Sequence, residues 1–124
     1  MSAKIILYVE DNELNRKIVR DLLRRTSYRL LEAPDGEAGM AMARDQRPDL
    51  ILMDIQLPKV SGLEAMRLLR QTAETANTPI IAITSFALSG DHQKAKDAGA
   101  SAYLAKPYSP RELLNMIREL APEE

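Results

Sequence analysis

The sequence predicts an α/β fold: a doubly wound, five-stranded parallel sheet with five helices, in three α/β/α layers. Three observations predict it. Short apolar runs alternate with segments of helical period five times along the 124 residues. The runs show no alternation of apolar and polar residues, so they read as strands buried on both faces, as parallel strands are. Charged or hydroxyl side chains stand just past the runs, where open α/β sheets place their ligands.

Lys4 to Val9 forms the first strand, and Glu10-Asp11-Asn12 follow it at once. Leu14, Ile18, Val19, Leu22 and Leu23 then recur at helical spacing, with Arg16, Lys17, Arg20 and Arg24 between them. Asp11 or Asn12 caps this helix. The Arg-rich side of the helix reads mainly as a solvated face. Arg29 to Ala33 is the second strand, and Pro34-Asp35-Gly36 opens a helix carrying Ala38, Ala41 and Met42. The third strand runs from Asp49 to Asp54; its run Leu50 to Met53 is unbroken and ends in a carboxylate, with Pro58 four residues on. Ser61-Gly62 precede a helix with Leu63, Met66 and Leu69 on one face. Thr78-Pro79 lead into the fourth strand, Ile80 to Thr84. Ser89 to Ala98 reads as a polar helix closed by Gly99. Its apolar stripe is the poorest of the five, which makes it the cheapest to displace. Ala102 to Ala105 is the fifth strand, and Lys106-Pro107 follow. Ser109-Pro110 cap and start the last helix, with Leu113, Leu114, Ile117 and Leu120 as its buried stripe. The methionines at 40, 42, 53, 66 and 116 read as core filler.

Length and composition fit one globular domain over residues 1–124, with 45% apolar and 28% charged residues and no linker to a second unit. A net charge of -1 with mixed signs argues against nucleic-acid or membrane binding. Absence of cysteine removes disulfides, thiolate metal sites and a cysteine nucleophile. The apolar run at the N-terminus, Ile5 to Val9, is too short for a signal peptide or a membrane span, so a cytoplasmic location is expected. With no output domain, function is expected to run through contacts with another protein.

In a parallel sheet the residues just past the strands lie on one edge. These are Glu10 and Asp11, Asp54, Thr84 and Ser85, and Lys106. Carboxylates brought close together repel, and at neutral pH they need a cation or a shared proton. A hard divalent cation such as Mg2+ suits oxygen ligands and uses few carboxylates. A hydroxyl and an ammonium beside it suit a dianionic phosphoryl group. An aspartate can take that group as an acyl phosphate. Asp54 is therefore the expected reactive residue.

Four blocks carry a resemblance: Val9-Glu10-Asp11-Asn12; Leu52 to Pro58 with Ser61-Gly62-Leu63; Ile83-Thr84-Ser85; and Tyr103-Leu104-Ala105-Lys106-Pro107. Together, in order and across essentially the whole chain, they resemble the signature of the receiver domain of two-component response regulators. The wording of the third-strand block is similar to that of stand-alone, DivK-like receivers and of hybrid-kinase receivers. The resemblance implies a flavodoxin-like sheet of strand order 2-1-3-4-5, with Asp54 as phosphoacceptor. It implies Mg2+ (or Mn2+) on Asp11, Asp54, Glu10 through water, and the backbone carbonyl of Gln56. It assigns Thr84, the Ser85 backbone N–H and Lys106 to the phosphoryl group, with a cis Pro107 after Lys106. Thr84 and Tyr103 become the switch that alters the face formed by the fourth helix, the fifth strand and the fifth helix. Leu14, Asn15, Ile18 and Pro107 become the phosphodonor docking surface. The implied partners are a sensor histidine kinase or a histidine phosphotransfer protein and a downstream protein target, with monomer or homodimer left open.

Several positions depart from the commonest family pattern. Ser85 stands where Ala is frequent, and Ser61 replaces a frequent Asp. Tyr8 stands where an aliphatic residue is usual, and its hydroxyl needs a partner. Phe86 is bulky and apolar, expected to shield an acyl phosphate from water, while Gln56 is a candidate to orient the attacking water.

Taken singly, each residue has a plainer reading: Asp54 a turn acid, Glu10-Asp11 a cap and its neighbour, Thr84 a helix start, Lys106-Pro107 a surface turn. Their joint placement at four strand ends decides against those readings. Tyr103 reads equally well as a half-buried sheet-edge aromatic, and His92, the single histidine, as solvent-facing. Three rival functions fit less well. An aspartyl-phosphate phosphatase of the haloacid-dehalogenase sort would carry D-x-D after the first strand. A flavodoxin-like nucleotide binder would carry a Gly-rich phosphate loop. A scaffold that no longer takes phosphate would have lost acceptor-site residues.

Overall fold

The computed structural model describes residues 3–57, 59–84 and 91–123. The elements are β1 (Ile5–Val9), α1 (Glu13–Leu23), β2 (Arg29–Ala33), α2 (Gly36–Gln46), β3 (Leu50–Asp54), α3 (Gly62–Arg70), β4 (Ile80–Thr84), α4 (Asp91–Ala98), β5 (Ala102–Ala105) and α5 (Pro110–Leu120). The sheet has order β2-β1-β3-β4-β5, and all four neighbouring pairs are parallel. The expected fold class is therefore observed, with strand ends moved by a residue. Lys4 and Asp49 lie outside the ladder. Asp49 brackets Ile5 instead: its carboxylate accepts from Ile5 N at 2.7 Å, and its own N–H donates to Ile5 O at 2.8 Å. Ser85, Phe86, Ser89 and Pro58 lie outside the described residues, so the expectations placed on them have no structural counterpart here.

Local chemistry sets the helix starts. Asn12, Asp35 and Ser61 each accept a hydrogen bond from the backbone N–H three residues on. Ser109 and Glu112 form a reciprocal capping box behind Pro110. Of the two candidates at the first helix, Asn12 is the cap, which leaves the Asp11 carboxylate exposed at the strand end.

Successive side chains along the strands point to opposite faces of the sheet and divide the core in two. Ile6, Tyr8, Leu50, Leu52, Ile81, Ile83 and Leu104 face α1 and α5, meeting Val19, Leu23, Leu113 and Ile117. Leu7, Val9, Ile51, Met53 and Ala82 face α2, α3 and α4, meeting Ala43, Ala65, Met66, Leu69, Ala95 and Ala98. The second helix lies where expected, and Ala38 and Met42 pack against the core. Its deepest contacts are through Gly39 and Ala43, while Ala38, Ala41 and Met42 are half-buried. A Cβ on Gly39 would stand 2.6 Å from Val9 Cγ2, so only glycine lets the helix lie this close to β1. On α1, Val19 and Leu23 carry the packing, whereas Leu14 and Ile18 are exposed.

The polar helix α4 has only Ala95 and Ala98 as buried residues among those described. Two alanines bury little apolar area. Its C-terminal end is held by polar contacts: the Arg70 guanidinium donates to the carbonyls of Thr75, Ala76, Thr78 and Gly99 at 2.6–3.2 Å. The Lys106–Pro107 peptide bond is cis, as expected. Among the described residues, no helix is long and apolar enough to cross a membrane.

The start of α3 presses directly on the end of β3. A Cβ on Gly62 would lie 2.2 Å from Asp54 O and 2.4 Å from Ile55 Cα, both backbone atoms. Gly62→Ala is therefore expected to cost about 2 kcal/mol or more in urea unfolding, since overpacking typically costs 1–3 kcal/mol and the backbone yields less than a side chain. A wild-type midpoint and slope would mean that α3 shifts freely.

Candidate functional site

The parallel register builds the site. Val9 pairs with Met53, so the residues after them, Glu10 and Asp54, emerge side by side at the same edge. Glu10 extends the ladder, donating its N–H to Ala33 O at 3.0 Å. Next to β3, Asp54 pairs with Ile83, and Thr84 pairs with Ala105. Lys106 N–H donates to Thr84 O at 2.7 Å, which fixes the origin of the lysine side chain. One sheet edge thus gathers the three acids, Thr84 and Lys106.

Glu10, Asp11 and Asp54 offer carboxylate oxygens that all lie within 4.8 Å of one another. Glu10 is 1% exposed and Asp54 4%, while Asp11 opens to solvent. The set is all oxygen, with an accessible side, which fits a hard cation that retains water. Gln56 lies against it: its N–H donates to Asp54 Oδ1 at 2.9 Å. Lys106 Nζ stands 2.8 Å from Glu10 Oε1 and 3.7 Å from Asp54 Oδ2, one ammonium between two buried carboxylates.

Two such carboxylates do not both ionise freely. Burial raises the Asp54 carboxyl, hydrogen bonding with Glu10 raises it further, and it stands at about 7 despite the opposing pull of the Gln56 N–H and Lys106. Burial alone would raise Glu10 too, but hydrogen bonds with Asp54 and Lys106 outweigh it and hold Glu10 at about 2. Without a cation, burial and mutual repulsion thus push the pair toward one carboxylate and one acid, with Asp54 the group raised and Glu10 the one lowered. For Lys106, burial favours the neutral amine, but the hydrogen bond to Glu10 and the charge of Asp54 prevail and raise it.

Helix α1 adds two contacts. Asn15 Nδ2 donates to Glu10 Oε1 at 3.2 Å. Arg16 donates to the Glu10 carbonyl at 3.0 Å and pairs with Glu13 at 2.6 Å. The Arg-rich face is therefore not simply solvated: Arg16 is largely covered and bonded to the site. Its i, i+3 spacing from Glu13 was a readable signal for the ion pair, but nothing in the sequence pointed it at Glu10. Tyr8 finds the partner its hydroxyl needs, donating to Glu10 Oε1 at 3.1 Å.

Asn15, Ile18 and Pro107 meet at the surface, with Lys106, Tyr108 and Pro110, around a groove of about 250 Å³. Leu14 is 67% exposed but does not line the groove. Tyr103 is half-buried on β5, and its ring stacks on that of His92 at 4.9 Å and 11°. His92 is exposed, as expected, yet that contact gives it a role in holding Tyr103 that its polar surroundings in sequence did not reveal.

The receiver domain family of response regulators matches residues 6–118. The chain is 44% identical over 115 residues to the polar-differentiation response regulator DivK of Brucella anthropi, covering 93% of this chain and 94% of that protein. Its structure superposes with a TM-score of 0.88, at 38% identity, on the receiver domain of the sensor histidine kinase PA1611 from Pseudomonas aeruginosa PAO1, covering 96% of this chain and 98% of that one. That crystal structure has a magnesium ion coordinated in the active site cleft. Vibrio cholerae chemotaxis protein CheY4 superposes with a TM-score of 0.89 at 28% identity, covering 96% of this chain and 99% of the other.

The shared proton makes the metal-free protein pH-sensitive. Asp54 holds its proton up to about pH 7 when folded, but releases it near the ordinary value of 3.8 when unfolded. Its contribution is therefore complete below that value and lost as pH rises through about 7. Glu10 acts oppositely: its contribution is complete above 4.5 and lost as pH falls toward about 2. Between pH 5 and 8 only Asp54 titrates of the two, so the melting temperature in chelator should fall by several degrees across that window. Asp54→Asn should flatten the slope. A wild-type melting curve independent of pH over that range would contradict the shared proton.

Proposed function

Because the chain belongs to the response regulator receiver family, we propose that Asp54 accepts a phosphoryl group from a phosphohistidine and that the modified domain relays it onward or binds a protein partner differently. As a member of that family the chain is a signalling domain of two-component systems. The observation that carries the finer reading is the meeting of Glu10, Asp11 and Asp54 within 4.8 Å, with the Lys106 ammonium at their rim.

One Asp54 oxygen attacks phosphorus while the P–N bond to the donor imidazole breaks. The imidazole leaves with the bonding pair and takes up a proton, and an acyl phosphate remains. Asp54 attacks as the carboxylate, so its proton must be lost before transfer. Glu10, Asp11, Asp54 and the Gln56 carbonyl would hold Mg2+, or Mn2+ in its place; the magnesium in the Pseudomonas relative supports this. A cation held there would supply positive charge against the phosphoryl oxygens as Asp54 bonds to phosphorus. Lys106, 3.7 Å from Asp54 Oδ2, pairs with the new phosphoryl group, and the Thr84 hydroxyl and Ser85 N–H donate to its remaining oxygens.

The modification adds about -1.5 to -2 charges. Movement of Thr84 toward them would vacate the space beside Tyr103, and α4, held by two alanines, would shift at small cost. The groove lined by Asn15, Ile18 and Pro107, with Leu14 at its approach, is the docking surface for the donor, a sensor histidine kinase or a histidine phosphotransfer protein. The DivK relatives support a phosphorelay role.

Intact mass after incubation with Mg2+ and acetyl phosphate tests the assignment. One added phosphoryl group is expected on the wild type, none on Asp54→Ala, and none on either with chelator. An adduct on Asp54→Ala would move the acceptor elsewhere. Absence of an adduct together with no fluoroberyllate binding would reduce the domain to a scaffold. A second measurement concerns Lys106: Lys106→Met should still bind Mg2+ but form adduct at least about tenfold more slowly, because the lost charge-assisted contact stabilises the transferred group.

A further inference from the structure

Tyr8 is wholly buried in the α1/α5 half of the core, where an aliphatic side chain would bring no polar atom to satisfy. Its hydroxyl nevertheless ends on the acidic site. Glu10 Oε1 receives Lys106 Nζ at 2.8 Å, Tyr8 Oη at 3.1 Å and Asn15 Nδ2 at 3.2 Å. Among the described residues, Lys106 is the one cation bonded to that carboxylate, and it also lies 3.7 Å from Asp54 Oδ2.

A phosphoryl group on Asp54 draws Lys106 toward itself. Glu10 then loses its charged partner while 1% exposed, and a buried carboxylate without donors is costly. Three donors stay behind: the Asn12 N–H, at 3.4 Å from Glu10 Oε2, and the Tyr8 and Asn15 side chains on Oε1. Asn15 sits on a helix flank and lines the surface groove, whereas Tyr8 is fixed within β1 between two paired strands. Tyr108, in the turn before α5, packs against the same half of the core.

We propose that Tyr8 is a positioning residue: its buried hydroxyl holds the Glu10 carboxylate in place for the cation, so that Lys106 is free to leave Glu10 for the phosphoryl group. The inference rests on the reading of the site as a Mg2+-dependent phosphoacceptor. Without the hydroxyl, Glu10 Oε1 keeps only Asn15 beside Lys106, so the ammonium is held more firmly there, competes with the cation at the carboxylates and is withheld from the phosphoryl oxygens.

The test is calorimetric titration of Mg2+ into the unphosphorylated protein, comparing wild type with Tyr8→Phe and, as a second variant, Tyr8→Leu. The dissociation constant should rise about three- to tenfold in both, at the low end of what lost outer-sphere hydrogen bonds cost because Asn15 and Lys106 remain. Adduct formation from acetyl phosphate should stay slower at saturating Mg2+. In a Glu10→Gln background, Tyr8→Phe should leave Mg2+ affinity unchanged, a coupling that a purely structural role would not produce. Wild-type affinity within twofold in Tyr8→Phe, or the same loss with and without Glu10, would overturn the inference while wild-type phosphorylation stands. A wild type that neither binds Mg2+ nor takes a phosphoryl group would overturn the underlying reading and this inference with it.

Discussion

The structure turns on two buried carboxylates held next to each other. Parallel pairing of β1 with β3 carries Glu10 and Asp54 out of the core at the same level, and neither can move away without breaking a central ladder. Their repulsion is met by the Lys106 ammonium and by a raised affinity of Asp54 for its proton. This arrangement is unfavourable for folding in isolation, because burying charge costs more than a single ion pair returns. A cation among the acids resolves the conflict. The strained site is stable only because the strands beneath it are fully buried on both faces.

The two faces of the sheet serve this edge differently. On the α1/α5 side, contacts converge on Glu10: Tyr8 from the core, Asn15 and Arg16 from α1, and Lys106 from the turn before α5. Arg16 and Arg20 extend the network to Glu13 and Glu32, so the position of α1 and the geometry of Glu10 are mechanically joined. Surface ion pairs of this kind contribute little individually, but a linked set restricts the rotation of each side chain. The groove beside Pro107 opens onto the same residues.

On the other face, α2 and α3 lie tight against the sheet through Gly39 and Gly62, while α4 rests on two alanines and on the Arg70 contacts at its C-terminal end. The packing is therefore graded, and the weakest element is the one next to β4 and β5. The stacking of His92 on Tyr103 bridges α4 to β5.

The order of elements was legible in the sequence because its signals are local. Unbroken apolar runs mark buried parallel strands, and Asn12, Asp35, Ser61 and Ser109 mark helix starts by bonding their own backbone three residues on. The acidic site was legible for the related reason that its members all follow strand ends, and a parallel sheet puts strand ends together. Tertiary structure decided what depends on distance between elements. It chose Asn12 over Asp11 as the cap, brought α2 down onto β1 at Gly39, turned Arg16 back onto Glu10, and joined Tyr8, Asn15 and Lys106 on one carboxylate oxygen. Periodicity tells which face of an element is apolar; only packing tells which partner a long polar side chain on that face can reach.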